Sequence, residues 1–238
     1  KVLIIDEIHS YDAYMSEIIK RLLEWCSALE IPVVMLSATL PPEKKQELLA
    51  PFTTEELSPA YPLITAIRAD GTAEERIVGQ TSHRLTAKTE LLPLLNEPEA
   101  IADEAVSITE EGGCLCVLMN TVREAQAVYS AIKRRYDGEL MLFHAQFPAR
   151  RRAELEKACI RRYGKDRSDR PKRSILVATQ VAEQSLDVDF DAMITAAAPV
   201  DLLLQRLGRV HRHDDAPRCE RWKEAVFKVL IPGEGRDF

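Results

Sequence analysis

The sequence predicts an α/β protein with a mostly parallel sheet. Short apolar runs alternate with segments whose apolar residues recur at helical spacing. This alternation is typical of parallel strands that are joined by crossover helices. The runs are VLII (2–5), VVML (33–36), CLCVLM (114–119), LMLFH (140–144), ILVAT (175–179), AMITAAA (192–198) and AVFKVLI (225–231).

Helical periodicity fills the intervals between these runs. Apolar residues recur at helical spacing over 15–29, 101–109, 122–136 and 150–163. Thr121 and Glu124 have the spacing of a capping box, in which the hydroxyl and the carboxylate bind free amides at the start of a helix. We therefore expect a helix to begin directly after Thr121.

The regular pattern is interrupted over residues 50–98, which contain five of the thirteen prolines and little periodicity. We place the domain boundary near 80–95 and expect domains at 1–80 and 81–238. The first part contains only two predicted strands, which are too few for an independent domain. Its other strands are expected upstream of Lys1, and the chain is expected to be a fragment, because it starts inside a core strand.

Composition restricts the partners and the compartment. The five cysteines include no CxxC pair, which favours reduced thiols in a cytosolic protein. No apolar stretch approaches the roughly 18 residues of a membrane span, and no signal peptide opens the chain. We therefore expect a cytoplasmic protein that has no membrane partner.

The net charge of −6 argues mildly against wholesale coating of nucleic acid. Residues 150–173, however, contain eleven Lys or Arg against four Asp or Glu. Such a strip can bind a phosphate backbone. It can equally be a solvated helix face with i,i+4 ion pairs, and the composition leaves both interpretations open.

The first strand ends in two adjacent carboxylates, Asp6 and Glu7. In open parallel sheets, ligands bind beyond the carboxyl ends of the strands. An aspartate there can hold Mg²⁺ through water, and a glutamate can activate the water that attacks a γ-phosphate. The alternative is an ordinary polar loop. SATLP (37–41) follows the second strand and could be a simple helix start.

QRLGRVHR (205–212) contains a second candidate set. If the segment is helical, Gln205, Arg209 and Arg212 lie at i, i+4 and i+7 on one face. Two arginines and a glutamine that point the same way, away from any run of acids, suit a triphosphate. A basic surface helix is the alternative.

The order of the motifs carries more information than any one of them. DEIH, SATLP, LMNT, FHAQF, ATQVAEQSLD and QRLGRVHR follow one another as in superfamily 2 helicases. The longer runs 175–194 and 198–213 resemble the nuclease-helicase of type I CRISPR systems. That family is a DNA-degrading translocase recruited by an RNA-guided surveillance complex. The resemblance covers nearly the whole chain and is least specific over 66–98.

The resemblance implies RecA-like, three-layer domains with a parallel sheet. The chain would hold the C-terminal part of the first such domain and a complete or nearly complete second one. At the nucleotide, Asp6 would coordinate Mg²⁺, Glu7 would be the catalytic base and His9 would link the site to the second domain. Ser37 and Thr39 would couple ATP hydrolysis to movement.

The remaining roles implied by the resemblance fall in the second domain. Asp187 would approach the ribose, and Gln205, Arg209 and Arg212 would reach the γ-phosphate of ATP. The residues expected along single-stranded DNA are Asn120, Thr121, His144, Thr179 and Gln180. Independently of the resemblance, the position of Glu183 and Gln184 between the expected DNA and nucleotide contacts makes them our candidates for coupling the two ligands. Asp189 and Asp191 are interpreted as polar turn residues before the strand at Ala192.

Two parts of the family pattern are absent from the sequence. No G-x-x-x-x-G-K-[ST] phosphate loop occurs, and the family's nuclease domain, built from His and Asp metal ligands, is expected upstream. No second histidine cluster supports His213–Asp214 as a metal dyad. We therefore expect the chain to be part of an ATP-dependent DNA helicase and to lack ATPase activity on its own. Two alternatives remain: a non-catalytic nucleic-acid-binding scaffold and an RNA helicase of the DEAH type.

Overall fold

All seven apolar runs become strands in the structure, a computed structural model. It describes residues 1–8, 13–38, 40–79, 85–166, 169–184, 186–213, 218 and 220–233. Backbone contacts divide the chain into two units, 1–83 and 84–238, and each is described by itself.

The second unit contains the larger sheet. Its elements are, in chain order, β5 (Ala87–Leu92), α3 (Pro98–Ile108), β6 (Gly113–Leu118), α4 (Val122–Lys133), β7 (Glu139–Phe143), α5 (Ala149–Tyr163), β8 (Arg173–Ala178), α6 (Val181–Gln184), β9 (Ala192–Ala196), α7 (Val200–Leu207), a short 3₁₀ helix (Glu220–Trp222) and β10 (Ala225–Leu230). The strands form one parallel sheet in the order β5-β10-β9-β6-β8-β7.

Helices cover both faces of this sheet because successive side chains of a strand point to opposite faces. Along β6, Leu115 and Val117 enter a core that is shared with α3 and α4. Cys114, Cys116 and Leu118 enter the opposite core, which is shared with α5. The central strands are buried on both faces, as parallel strands usually are. The predicted α/β class with a parallel sheet is confirmed.

The first unit contains a smaller parallel pair and a hairpin. Its elements are β1 (Leu3–Ile5), α1 (Ala13–Ala28), β2 (Val33–Met35), α2 (Pro42–Leu49), β3 (Leu63–Ile67) and β4 (Ala73–Ile77). Strands β1 and β2 are parallel, whereas β3 and β4 are antiparallel. A small core of Ile5, Ile8, Ile19, Leu23 and Leu48 joins the first pair to α1 and α2.

The region 50–98 is more regular than the sequence indicated, because it contains β3, β4 and β5. The prediction missed these strands for a physical reason. The β3–β4 hairpin is largely exposed, and four central residues of β5, at the edge of the sheet, are exposed. None of the three therefore needs the continuous apolar run by which buried strands are recognised.

The four cysteines that the structure describes, Cys26, Cys114, Cys116 and Cys159, are buried free thiols. Cys219 lies outside the described residues. Burial raises the pKa of Cys114 to about 11 and that of Cys159 to about 12, so both thiols are unreactive at neutral pH. In the part of the chain that the structure describes, no helix is both long and apolar enough to cross a membrane.

A glycine fixes the start of β6. Gly113 has φ +105, and a Cβ on it would lie 2.5 Å from Nε1 of Trp222. Trp222 is only 5% exposed and belongs to the core under α3 and α4. Neither the backbone nor the indole ring leaves room for a methyl group at this position.

We expect Gly113→Ala to destabilise the second unit by about 2–5 kcal/mol through backbone strain and overpacking. Hydrogen exchange of the β6 amides, which measures local opening, is the readout. Gly79→Ala is the control, because a Cβ on Gly79 meets no atom within 4 Å. Equal protection of β6 in the two variants would contradict this account.

Candidate functional site

Asp6, Glu7 and Ser37 lie at the carboxyl ends of two paired strands. Ile5 at the end of β1 pairs with Met35 at the end of β2. Beyond them, Leu36 donates its backbone N–H to the Ile5 carbonyl (2.9 Å), and Ile8 donates to the Leu36 carbonyl (3.1 Å). The DEIH and SATLP motifs are therefore neighbours, as ligand-binding residues of a parallel sheet must be.

The backbone after β1 makes a sharp turn at Glu7. Glu7 has φ 51, a left-handed conformation that is uncommon outside glycine. Its N–H donates to Oδ1 of Asp6 (2.9 Å), and both residues are exposed. Strained backbone of this kind costs of order 1–3 kcal/mol and is concentrated at functional sites. His9 and Thr39, predicted to act here, lie outside the described residues.

The hydroxyl of Tyr61 donates to the Ala38 carbonyl (2.8 Å). This bond ties the SATLP motif to the segment that precedes the β3–β4 hairpin.

The exposed carboxylate of Asp6 suits Mg²⁺, which takes one or two carboxylates and completes its shell with water and phosphate oxygens. A dedicated protein cage is not required for that ion. Within the described ranges, no group of three or more His, Cys, Asp or Glu could hold a metal. The single exposed carboxylate of Asp6 is a donor that a magnesium ion with a phosphate ligand can use.

The five residues predicted to contact DNA lie at the carboxyl ends of neighbouring strands of the large sheet. Ala178 at the end of β8 is in register with Leu118 of β6 and with Phe143 of β7. The residues that follow these three strand ends are called the strand-end surface. They are Asn120, Thr121, His144, Thr179 and Gln180. The parallel register thus brings together residues that are up to 60 positions apart in the sequence.

Asn120 is the centre of this strand-end surface. Its side chain donates to the Ala197 carbonyl (2.8 Å), and its backbone carbonyl accepts from the Gln180 amide (3.2 Å). Its Oδ1 accepts from Arg206 (3.3 Å). Both Asn120 and Gln180 are exposed, so they present polar groups at a position that the fold holds in place.

The other three residues of the strand-end surface have mainly structural contacts. Thr121 forms the predicted capping box with Glu124, so its hydroxyl oxygen accepts the N–H of Glu124 (3.2 Å). His144 and Thr179 are each only 3% exposed. Their side chains therefore offer almost no area to a nucleic acid and support the surface from below.

His144 packs as a neutral ring. It stacks on Phe147 with ring centroids 4.2 Å apart, and its Nε2 lies 3.4 Å from the Gln126 amide. Burial lowers the pKa of His144 below its ordinary value. A neutral imidazole is consistent with this apolar position.

Arg206 was not predicted as a site residue. It is only 1% exposed, and its guanidinium donates to Thr195 Oγ1 (2.8 Å) and the Ala196 carbonyl (2.9 Å) as well as to Asn120. It therefore joins α7 to the end of β9 and to the strand-end surface. One signal was available in the sequence. Arg206 lies three residues after Leu203, so the two share one side of α7. A charged residue on the apolar side of a helix is seldom buried unless it has partners.

The helical interpretation of QRLGRVHR is wrong beyond its third residue. Helix α7 ends at Leu207, with Gly208 as its cap. Val210 is fully buried and forms a parallel bridge with Phe190 instead of continuing the helix. Gln205 therefore lies half-buried on α7, whereas Arg209 and Arg212 lie on an irregular segment. The three residues do not share a helix face.

The prediction that the two arginines point away from any run of acids is wrong for Arg212. Arg212 donates through Nε to Oδ1 of Asp187 (2.6 Å), and His213 Nε2 lies 3.1 Å from the same oxygen. Arg209 donates to the Leu186 carbonyl (2.6 Å). The structure therefore brings Asp187, Arg209 and Arg212 together. It also gives His213 an acidic partner other than Asp214, which lies outside the described residues.

Partial burial alone would raise the pKa of Asp187. The hydrogen bonds from Arg212 and His213 outweigh it, so the pKa of this carboxyl lies below its ordinary value. Asp187 is consequently an anion at neutral pH. It is the existing counter-ion of the arginine that was expected to contact the γ-phosphate.

Asp189 and Asp191 are buried rather than exposed turn residues. Asp189 is 0% and Asp191 6% exposed. Arg218 donates to both oxygens of Asp189 (2.6 Å each) and to Asp191, and Arg170 lies 3.1 Å from Asp191. Buried carboxylates need such partners because desolvation otherwise disfavours the charge. No local pattern in the sequence reveals partners that are about twenty residues or more away.

The basic strip at 150–173 is partly neutralised by acids. Glu154 lies 3.5 Å from Arg150 and 3.2 Å from Arg151. Outside α5, Arg173 lies 2.6 Å from Asp137, and Arg170 belongs to the buried pair just described. These contacts favour the ion-paired interpretation of the strip over a continuous phosphate-binding surface.

Comparison with known proteins identifies the relatives of the chain. Residues 111–215 match a family described as the C-terminal part of the CRISPR-associated nuclease/helicase Cas3. The chain is 35% identical to the Cas3 of Streptococcus thermophilus over 100% of its length. It is 37% identical over 98% to the Cas3 endonuclease/helicase of Escherichia coli K12. It spans only 26% and 28% of those two proteins.

Solved structures agree with the sequence matches. A T. fusca Cas3 structure with ATP has a TM-score of 0.86 and 33% identity, and covers 99% of this chain and 30% of its own. A chain in the structure of a CRISPR RNA-guided surveillance complex in a pre-nicking state has a TM-score of 0.84 and 31% identity. It covers 99% of this chain and 32% of its own. The predicted resemblance and the RecA-like fold are confirmed.

We expect Arg206→Lys to lower the stability around β9 and α7 by about 2–4 kcal/mol, because an ammonium cannot reproduce the forked contacts of a buried guanidinium. Faster hydrogen exchange of the β9 amides would report it. Arg161→Lys, on the exposed face of α5, is the matched control and should change nothing measurable. Unchanged exchange in Arg206→Lys would remove Arg206 from its assigned structural role.

Proposed function

Because the chain belongs to the CRISPR-associated nuclease/helicase family, we propose that it carries part of an ATP-driven motor that moves along single-stranded DNA. The chain spans between a quarter and a third of the curated relatives, so this function concerns the longer protein. One observation carries the proposal. The segment from Thr179 to Asp187 begins in the strand-end surface and ends at the carboxylate that binds Arg212.

We propose the following roles of individual residues at the nucleotide. Asp6 would hold Mg²⁺ through water, and the ion would neutralise charge on the phosphates. Glu7 would orient and deprotonate the attacking water, and Ser37 would couple the reaction to movement. From the second unit, Asp187 would bind the ribose, while Gln205, Arg209 and Arg212 would stabilise the negative charge on the transferred phosphoryl group.

The structure of a Cas3 with ATP supports nucleotide binding by that relative, and the order of the motifs supports the same ligand here. His9 and Thr39 keep their expected roles as part of this proposal.

We propose that the strand-end surface contacts the phosphates and sugars of the strand. Asn120 and Gln180 are exposed amides, and amides bind phosphate oxygens without reading base sequence. Thr121 is exposed and would contact the strand directly. His144 and Thr179 are buried and would support the surface from below. Such contacts suit a motor, which must pass over every sequence with similar affinity.

The partner of the longer protein is proposed by analogy with one relative. One relative was solved in a CRISPR RNA-guided surveillance complex, and we propose that the protein containing this chain is recruited to such a complex in a prokaryotic cytoplasm. There it would unwind and degrade invading DNA.

The main test uses the full-length protein. Glu7→Gln should lower ATP hydrolysis by roughly 10²–10⁴-fold, since general-base catalysis contributes about that much, and should leave ATP binding intact. Arg209→Ala should lower hydrolysis with little change in ATP affinity, because an arginine contact at the phosphoryl group acts mainly in the transition state. Steady-state hydrolysis and fluorescent-nucleotide titration measure the two quantities separately.

Single-stranded DNA and single-stranded RNA of equal length are compared as activators of the wild-type protein. We expect stimulation by DNA. Stimulation by RNA alone would favour an RNA helicase, and an absence of hydrolysis with either would favour a binding scaffold. Normal DNA-stimulated turnover in Glu7→Gln would refute the role of that residue.

We further expect the 238-residue chain to hydrolyse no ATP by itself, because its sequence contains no phosphate-binding loop of the G-x-x-x-x-G-K-[ST] type. The measurement is phosphate release with Mg²⁺ and single-stranded DNA, beside the full-length protein as the positive control. Robust magnesium-dependent turnover by the isolated chain would show that this loop is dispensable.

A further inference from the structure

The segment that follows α7 must be held in place by something other than a helix. Arg209 and Arg212 come after the helix end at Leu207, so helical geometry does not fix their direction. His211, between them, has φ 50, a conformation that costs free energy in a residue with a side chain. A stable orientation of the two arginines therefore requires contacts from a neighbouring segment.

Those contacts come from residues 186–190. Phe190 donates its backbone N–H to the Arg209 carbonyl (2.9 Å), and His211 donates to the Phe190 carbonyl (3.0 Å). The backbone N–H of Arg212 donates to Oδ1 of Asp189 (2.9 Å). Asp189 is thus the side chain that fixes the backbone of Arg212, while Asp187 binds the guanidinium of the same residue.

Asp189 is itself held from the opposite side. Arg218 donates to both of its carboxylate oxygens (2.6 Å each), and Arg170 donates to its backbone carbonyl (2.7 Å). All three polar groups are largely buried, with side-chain exposures of 0% for Asp189, 9% for Arg218 and 15% for Arg170. A carboxylate fixed in this way cannot swing aside, so it defines one position for the Arg212 backbone.

We propose that Asp189 is a positioning residue for ATP hydrolysis, which acts by holding Arg212 at the place from which its guanidinium reaches the nucleotide. Arg218 is the residue that holds Asp189. This inference rests on the proposed function, since it assigns Asp189 a role only if Arg212 contacts the transferred phosphoryl group. Asp189 is 0% exposed, so it would act through Arg212 and not by direct contact with the nucleotide.

Asp191 provides a matched control. It is almost as buried as Asp189, and it pairs with the same two arginines. Its other oxygen, however, accepts the N–H of Cys114 at the start of β6 (2.7 Å). A purely structural role for the network predicts similar effects of Asp189→Ala and Asp191→Ala. A positioning role predicts a loss of catalysis for Asp189→Ala alone.

The experiment uses the full-length protein with ATP, Mg²⁺ and single-stranded DNA, at a temperature well below the unfolding of each variant. We expect Asp189→Ala to lower kcat by roughly 10–100-fold, as small misplacements of a catalytic group do, with KM for ATP within about twofold. Asp191→Ala should keep kcat within about threefold of wild type. This holds even if Asp189→Ala and Asp191→Ala lower the unfolding temperature equally. Asp189→Asn, which keeps an oxygen for the Arg212 N–H, should retain more kcat than Asp189→Ala.

A double variant tests whether the two residues act in series. In an Arg212→Ala background, Asp189→Ala should lower kcat no further, because the group that it positions is already gone. A multiplicative loss would overturn the inference, as would equal kcat losses in Asp189→Ala and Asp191→Ala. If the wild-type protein hydrolyses no ATP, or if Arg212→Ala is fully active, the proposed function fails. If Arg212→Ala is inactive while Asp189→Ala is normal, only the positioning role fails.

Discussion

The parallel pairing of β6 with β8 and β9 is the constraint on which the arrangement of the second unit depends. Parallel strands end at the same edge, so the residues after each strand become neighbours whatever their separation in sequence. Asn120, Thr179 and Ala197 meet in this way. The opposite edge obeys the same rule, since Asp191 before β9 binds the first residues of β6. Two polar regions thus arise from one register, one at each end of the strands.

The segment 179–191 connects these two edges. It leaves the strand-end surface at Thr179 and Gln180, passes Asp187 and reaches the buried pair of carboxylates at Asp189 and Asp191. Along this path it contacts the segment after α7 through side chains and backbone. Gln205 and Arg206, adjacent on α7, extend the connection, because Arg206 binds Asn120 directly. Hydrogen bonds therefore hold both ends of this segment, from Gln180 to Asn120 (3.2 Å) at one end and from Arg218 to Asp189 (2.6 Å) at the other.

Much of the fold was predictable from the sequence, because buried parallel strands are nearly continuous apolar runs. The capping box at Thr121 was predictable because both partners lie within one helical turn. The exposed strands β3, β4 and β5 were not, since surface strands lack that signal. The helix end at Leu207 was missed because burial of Val210 against Phe190 outweighs local periodicity. Arg206 and the Asp189–Arg218 contact depend on partners that only the tertiary fold supplies.

The ion pair between Arg212 and Asp187 affects how strongly Arg212 attracts a polyanion. A guanidinium with no nearby carboxylate would attract any passing phosphate, and salt would weaken the attraction. Arg212 already has a counter-ion at 2.6 Å, bound through Nε, and that carboxylate also has His213 as its neighbour. Part of the positive charge at this place is therefore neutralised before any ligand arrives. A phosphate is attracted less strongly here than by an isolated guanidinium.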